Sequence, residues 1–150
     1  MYFEVKVKHT ETNAEGKEVK KTSFFLIDAE SYTETEARTV EVARDLISGD
    51  YFIKSITRSK LEEVIYVGMK IGESDIDYNY FKVVTTSIDD DSGKRKTFKN
   101  YFLVQAKTPE DVSAIIANRC REWIHEWKIT SVAEVAVDEI FEYEEKEASE

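Results

Sequence analysis

The sequence predicts an α+β fold: a tandem duplication of a ββαβ unit about a pseudo-twofold axis, with a mainly antiparallel sheet covered by two helices. Blocks of sequence recur in the same order about 77 residues apart. Each copy also contains segments that alternate between apolar and polar residues, and one segment with apolar residues at helical spacing. A copy of about 70 residues with a single helix would be marginally stable alone, so we expect both copies to share one core.

The internal repeat rests on blocks that keep their order and spacing. Residues 2–5 return as 80–83, 78 positions later, and residues 24–29 return as 101–106, 77 positions later. Residues 53–56 match 129–132 at an offset of 76. We therefore expect a single domain made of two repeats (about 1–66 and 79–143), a connector at 67–78 and an acidic tail at 144–150.

Three strands are expected in each copy. In the first copy, Phe3, Val5 and Val7 alternate with charged residues, and residues 23–29 and 51–58 are rich in aromatic and aliphatic side chains. Gly16 supplies the positive φ that the first hairpin turn requires. In the second copy, the turn is expected at residues 89–93, and the later strands at 100–106 and 128–135. Residues 61–66 and 137–143 fit either a helical turn or an extra strand.

One helix is expected in each copy. The first should begin with Thr33 as its N-cap and Glu36 completing a capping box, and should end at Gly49. Its expected apolar face is Ala37, Val40, Ala43 or Arg44, and Ile47. The second should begin at Thr108, with Pro109 at its first position. Its expected stripe is Val112, Ile115, Ile116, Arg119, Cys120, Trp123, Ile124 and Trp127.

The charge distribution narrows the class of partner. The formal net charge is −10, and residues 138–150 hold seven acidic residues against Lys146 alone, so that segment carries −6 of it. The acidity argues against binding to duplex DNA, which normally needs a basic face. No apolar run approaches the roughly 20 residues of a membrane helix. We expect a cytoplasmic protein that contacts no membrane.

The residues that usually carry catalysis are few. His9 and His125 are the only histidines, expected at a strand end and a helix end, and Cys120 falls on the apolar stripe of the second helix. No nucleophile, metal site or cofactor site is predicted. Glu63 and Glu139 occupy repeated positions and form a candidate symmetric acidic pair, for which a solvated edge is the preferred interpretation.

Aromatic pairs in the repeated strands suggest a binding surface. In each pair one ring should face the core and its neighbour should face outward, because strand side chains alternate. With nearby basic residues, the outward rings could pack within the sheet, dock a protein or stack single-stranded bases. The candidate surface residues are Tyr2, Phe24, Tyr51, Tyr80, Tyr101, Lys54, Arg58 and Lys82.

The opening residues 1–8, the turn at Gly16 and Lys17, and residues 53–56 resemble a family of short proteins of gut bacteria and their phages, domain-of-unknown-function family 4494. The resemblance would cover nearly the whole chain. It implies a setting in bacteria, phages or mobile elements, and it brings no activity and no catalytic residues with it.

These observations predict a non-enzymatic binding module. The leading hypothesis is docking of a protein partner, including a second copy of the chain, through an aromatic sheet face or the cleft between repeats. The alternative is binding of single-stranded nucleic acid or a nucleotide by an accessory protein of a phage or mobile element. A hydrolase that uses Glu63 and Glu139 is the third hypothesis.

Overall fold

A computed structural model of the chain describes residues 1–68, 78–90 and 95–142. These residues form an α+β structure of eight strands in two mainly antiparallel sheets, with two helices. The first five elements are β1 (Tyr2–Thr12), β2 (Glu18–Asp28), α1 (Tyr32–Leu46), β3 (Tyr51–Arg58) and β4 (Glu63–Ile65). The next five are β5 (Asn79–Asp89), β6 (Lys96–Ala106), α2 (Pro109–Arg119), β7 (Glu126–Val135) and β8 (Glu139–Phe141).

Among the described residues, unit 1 comprises Met1–Ser59 together with residues 137–142. Its sheet has the order β3-β1-β2-β8, in which β1 is antiparallel to both neighbours and β8 is parallel to β2. Alternate residues of β1 and β2 point toward α1 and form one buried cluster. Its members are Phe3, Val5, Val7, Phe25, Ile27, Ala29 and Val42.

Unit 2 comprises Lys60–Ala136. Its sheet has the order β4-β6-β5-β7, in which β5 is antiparallel to both neighbours and β4 is parallel to β6. Its buried cluster again joins the two central strands to the helix. The members are Phe81, Val83, Phe102, Val104, Ala106, Val112, Ile116 and Cys120.

The expectation of one shared sheet is wrong, because each unit has its own sheet. Each unit also has its own helix and a buried cluster between that helix and the sheet. The short segments after β3 and β7 are strands and not helical turns. Each three-residue strand joins the sheet formed by the other sequence repeat: β4 of the first repeat lies beside β6, and β8 of the second repeat lies beside β2. Both strands are thereby parallel additions to an otherwise antiparallel sheet.

Helix α1 begins two residues earlier than predicted. Its N-cap is Ser31, whose Oγ accepts a hydrogen bond of 3.1 Å from the backbone N–H of Glu34. The buried face shifts accordingly to Thr35, Thr39, Val42 and Ala43, whereas Ala37 and Val40 are exposed. The two threonines can be buried because each hydroxyl donates to the backbone carbonyl four residues earlier, at 2.7 Å.

Helix α2 is shorter than its apolar stripe. Pro109 is at its start as predicted, but the helix ends at Arg119, so Trp123 and Trp127 lie beyond it and Trp127 belongs to β7. Both indoles still pack against the cluster of unit 2. Ile124 is 93% exposed, so it is not part of the core that the spacing predicted.

Gly16 has φ of +78°, as the first hairpin turn requires. The side chain of Asn13 accepts hydrogen bonds of 3.0 Å from the backbone N–H groups of Glu15 and Lys17, which fixes that turn. Residues 91–94 of the second expected turn, residues 69–77 of the expected connector and the whole expected tail at 144–150 lie outside the described residues. Neither helix of the described part is long and apolar enough to cross a membrane.

Candidate functional site

The sheet of unit 1 carries lysine and phenylalanine side chains on the face opposite α1. Residues that oppose each other in an antiparallel pair share a face. Lys8 of β1 lies opposite Thr22 of β2 and opposite Phe52 of β3. Strand alternation therefore places Lys8 and Phe52 on the face away from the buried residues Val5 and Val7.

We call residues that lie opposite one another across the paired strands a row. The neighbouring rows of the same face contain further basic residues. Lys6 lies opposite Phe24 on one side and Ser55 on the other, and Thr10 lies opposite Lys20. We call the surface formed by Lys6, Lys8, Lys20, Phe24 and Phe52 the lysine face. Lys6, Lys20 and Phe52 are exposed, and Phe52 is 59% exposed, whereas Lys8 and Phe24 are half-buried.

A cavity of about 400 Å³ opens beside these residues. Its lining includes Thr22, Lys8 and Phe52, and also Lys20 and Thr10, all on the lysine face. Their chain neighbours His9, Lys21 and Tyr51 line it as well, and so does the acidic residue Asp50, two residues before Phe52. The neighbouring residue pairs on the same face as His9 are Val7 with Ser23 and Glu11 with Val19. None of these four residues lines the cavity. We therefore place the cavity on the lysine face. Its volume is within the usual range for small-molecule sites.

The ammonium groups of the lysine face are available for a ligand. In the described part of the chain, none of Lys6, Lys8 and Lys20 forms an ion pair. Lys21 differs, because its Nζ lies 2.7 Å from Glu11. That hydrogen bond raises the pKa of Lys21 and lowers the pKa of Glu11. Both residues alternate onto the other face, so this pair adds no charge to the lysine face, whose cavity holds Lys8, Lys20 and the acidic residue Asp50.

The chain has a family match over most of its length. A family model described as a domain of unknown function, DUF4494, matches residues 1–143. The chain belongs to this family. The resemblance seen in residues 1–8, 16–17 and 53–56 is thereby confirmed. Neither a curated protein nor a solved structure matches the chain.

In the DUF4494 chain, the predicted surface residues of unit 1 differ in their exposure. In unit 1, Tyr51 packs against the buried cluster, and the exposed ring of that pair is Phe52. Tyr2 is half-buried and its hydroxyl donates to Glu142 at 3.3 Å. Lys54 and Arg58 are exposed on β3. Of the predicted residues, only Phe24 belongs to the lysine face.

The predicted surface residues of unit 2 are more enclosed. Tyr80 is 5% exposed, and its hydroxyl accepts a hydrogen bond of 3.1 Å from Nε2 of Gln105. Tyr101 is half-buried, with the Nζ of Lys60 5.8 Å from its ring centroid. Lys82 is half-buried. Tyr80 therefore cannot present its ring to a partner without local rearrangement.

Four residues of the lysine face are missing from the sequence-based candidates: Lys6, Lys8, Lys20 and Phe52. The alternation of Lys6 and Lys8 with Val5 and Val7 places both on one face of β1. Their association with Phe52 depends on the pairing of β1 with β3.

Glu63 and Glu139 occupy the same register in their own sheets, opposite Phe102 and Phe25 respectively. Glu63 is bound by Arg119 of α2, whose Nη2 and Nε both lie within 3.1 Å of the Glu63 carboxylate. The hydrogen bond raises the pKa of Arg119. This ion pair joins β4 to α2 within unit 2. It gives Glu63 a structural partner.

The two histidines differ from their expected positions. His9 lies inside β1, 7% exposed, and its Nε2 shares a hydrogen bond of 2.8 Å with the hydroxyl of Ser23. His125 follows α2 instead of ending it, and its ring meets that of Phe98 edge-on at 5.4 Å. Within the described ranges, no three His, Cys, Asp or Glu residues are grouped so that they could hold a metal ion.

Cys120 is fully buried, as predicted, and burial raises the pKa of its thiol. A raised pKa in the folded state contributes stability below the unfolded pKa of about 8.5, and this contribution is lost as the pH rises above that value. We expect the free energy of unfolding to fall more steeply between about pH 8 and 10 for the wild-type chain than for Cys120→Ala. Urea titrations at several pH values measure both slopes, and equal slopes would contradict the prediction.

Proposed function

We propose that this chain is a non-enzymatic binding module for a phosphate-bearing ligand with a flat ring, either a nucleotide or single-stranded nucleic acid. The observation that carries the proposal is the cavity on the lysine face, which combines Lys8, Lys20 and Phe52.

The chemistry of these side chains suits such a ligand. A lysine ammonium group is a compact positive charge with three hydrogen-bond donors, which can bind phosphate oxygens. An exposed aromatic ring stacks on nucleobases of any sequence, with an effect of about 1–3 kcal/mol per base. Lys8 and Phe52 are cross-strand neighbours, so one ligand can contact both. A cavity of about 400 Å³ has room for a ligand of this size.

The acidic composition is compatible with this ligand because the charge is uneven. Of the net −10, residues 138–150 carry −6. Two carboxylates lie beside the three lysines of the lysine face: Asp50 lines the cavity, and Asp138 accepts a hydrogen bond of 2.7 Å from the backbone N–H of Phe24. The lysines outnumber them. The local positive charge is nevertheless small, which suits one short single strand better than a duplex.

We also infer that the two units descend from a tandem duplication. In each sheet the strand order is the third, first and second strand of one repeat, followed by the short strand of the other repeat. The orders are β3-β1-β2-β8 and β7-β5-β6-β4. Register shifts lie at Lys6/Val7 and Val84/Thr85, which are equivalent at the offset of 78. Lys6 and Lys8 correspond to Val84 and Thr86, so the two central lysines belong to unit 1 alone.

Protein docking on an aromatic sheet face has less support. Of the five candidate rings, Tyr80 is buried and Tyr51 packs against the cluster of unit 1. Hydrolysis by Glu63 and Glu139 also has less support, because Glu63 is engaged by Arg119. By contrast, Lys6, Lys20 and Phe52 of the lysine face are exposed.

The proposal is tested by fluorescence anisotropy of a fluorescein-labelled eight-residue oligothymidylate. We expect the double variant Lys8→Gln, Lys20→Gln to bind at least about tenfold more weakly than the wild type, which corresponds to about 1.4 kcal/mol. The control is the double variant Arg44→Gln, Lys107→Gln, which removes the same charge from exposed positions outside the lysine face. Equal weakening in both double variants, or no binding by the wild type, would contradict the proposal.

A further inference from the structure

We infer that the ligand is an oligonucleotide strand that lies along β1 over three successive rows of the lysine face, and not a single nucleotide confined to the cavity. This inference rests on the proposed function and names its ligand more closely. The observation behind it is that the basic and aromatic rows continue past the cavity.

The cavity accounts for only two of these rows. Lys20 and Thr10 form the first row, and Lys8 with Phe52 forms the second. Lys6 and Phe24 form the third row and do not line the cavity. Successive rows are two residues apart on β1, which is about 7 Å, so the three rows span about 14 Å. A mononucleotide seated in the cavity would leave the third row unused.

Carboxylates lie at both ends of the three rows, and Asp50 and Asp138 lie at their sides. Beyond Lys20, the next row on the same face pairs Thr12 with Glu18. Beyond Lys6, the next row holds Glu4. Because a phosphate group is repelled by a carboxylate, the phosphates of a bound strand should lie between these two rows and along the central strand β1, away from Asp50 and Asp138 at its sides. We therefore expect a site for roughly four nucleotides, at the lower end of single-strand site sizes.

Phenylalanines lie on opposite sides of the central lysines. Phe52 flanks Lys8 from β3, and Phe24 flanks Lys6 from β2. Successive bases of a strand running along β1 can thus reach aromatic rings, while the phosphates stay near the lysines of the central strand. Phe52, at 59% exposed, offers the larger open ring surface.

Competition binding with the full-length chain tests the inference. Thymidine 5′-monophosphate and 5′-phosphorylated oligothymidylates of two, four and eight residues compete with the labelled eight-residue probe. We expect the four-residue oligomer to bind at least about tenfold more tightly than the monophosphate, with little further gain at eight residues. Equal affinities of the monophosphate and the four-residue oligomer would overturn the inference and leave the proposed function standing. No binding of any of these probes would instead contradict the proposed function.

The variant Lys6→Gln separates the third row from the cavity. It should weaken binding of the four-residue oligomer while leaving the affinity for the monophosphate unchanged. It should also reduce the slope of log affinity against log salt by about 0.7, the value for one phosphate contact of a single strand. An effect on both ligands, or on neither, would overturn the inference. Arg44→Gln is the matched control for loss of one exposed charge.

The variant Phe52→Ala tests whether the bases are contacted. Loss of one stacked base should weaken the binding of the four-residue oligomer roughly 5- to 150-fold. Linear polyphosphate with the same number of phosphate groups has no bases, so its affinity should be unchanged by Phe52→Ala. If polyphosphate competes as well as the oligomer does, the site binds anions without bases and the inference is wrong.

Discussion

Replacing Phe81 with alanine is expected to lower the free energy of unfolding by about 3–5 kcal/mol. Phe81 is 1% exposed and lies in the buried cluster of unit 2 with Val83, Phe102 and Ile116. Removing the ring forfeits its burial and leaves a cavity that a packed sheet can fill only in part. Urea denaturation followed by tryptophan fluorescence measures the change, because Trp123 and Trp127 pack against the same cluster.

The matched control is Val132→Ala, on the edge strand β7 of the same unit. Val132 is 40% exposed, so its truncation should change the stability by less than about 1 kcal/mol. If Phe81→Ala costs no more than Val132→Ala, the cluster of unit 2 does not contribute to stability as described.

The substitution Gln105→Leu should lower the free energy of unfolding by about 3 kcal/mol. Gln105 is 1% exposed. Its Oε1 accepts hydrogen bonds from the backbone N–H groups of Val67 and Gly68, at 3.1 and 2.9 Å, and its Nε2 donates to Tyr80. Leucine has a similar size but leaves these groups without that partner, and each lost hydrogen bond costs about 1 kcal/mol.

Chemical denaturation of Gln105→Leu, Tyr80→Phe and the double variant measures this network. The coupling between the two side chains should be visible as non-additivity of about 0.5 kcal/mol or more. The control is Asn100→Ala, which removes an exposed amide that donates to Glu62 at 2.8 Å and should have a small effect. If Gln105→Leu lowers the free energy of unfolding no more than Asn100→Ala does, the hydrogen bonds of Gln105 do not stabilise unit 2 as described.

Local patterns predicted the helices and most strands correctly. The alternation of Phe3, Val5 and Val7 identified β1, and Gly16 identified its turn, because both signals depend on adjacent residues. The start of α1 was misplaced because Ser31 and Thr33 both have the chemistry of an N-cap. Its buried face was misread since Thr35 and Thr39 are polar in the sequence but satisfied by their own helix.

Other errors arose where a sequence pattern continues past the end of a helix, or where a strand is too short to show a pattern. The spacing of Val112, Ile116 and Cys120 continues through Trp123 and Trp127, so it extended α2 into β7. The pairing partners of β4 and β8 are far away in the chain. Three residues carry too little periodicity to indicate which sheet they join.

The candidate site was predictable only in part. Alternation places Lys6 and Lys8 on one face of β1, which adjacent residues are sufficient to show. The pairing of Lys8 with Phe52 depends on the register between β1 and β3, and a shift between Lys6 and Val7 changes that register. For the same reason Tyr51 was expected outward, whereas the exposed ring is Phe52.

The exchange of β4 and β8 sets an order in which the two units can be completed during synthesis. All the strands of unit 2 lie within Lys60–Ala136, so its sheet is complete as soon as that stretch has left the ribosome. Unit 1 begins at Met1 but still lacks β8, which pairs with Phe25–Ile27 and is made last. The half of the chain that is translated first is therefore the last to close its sheet.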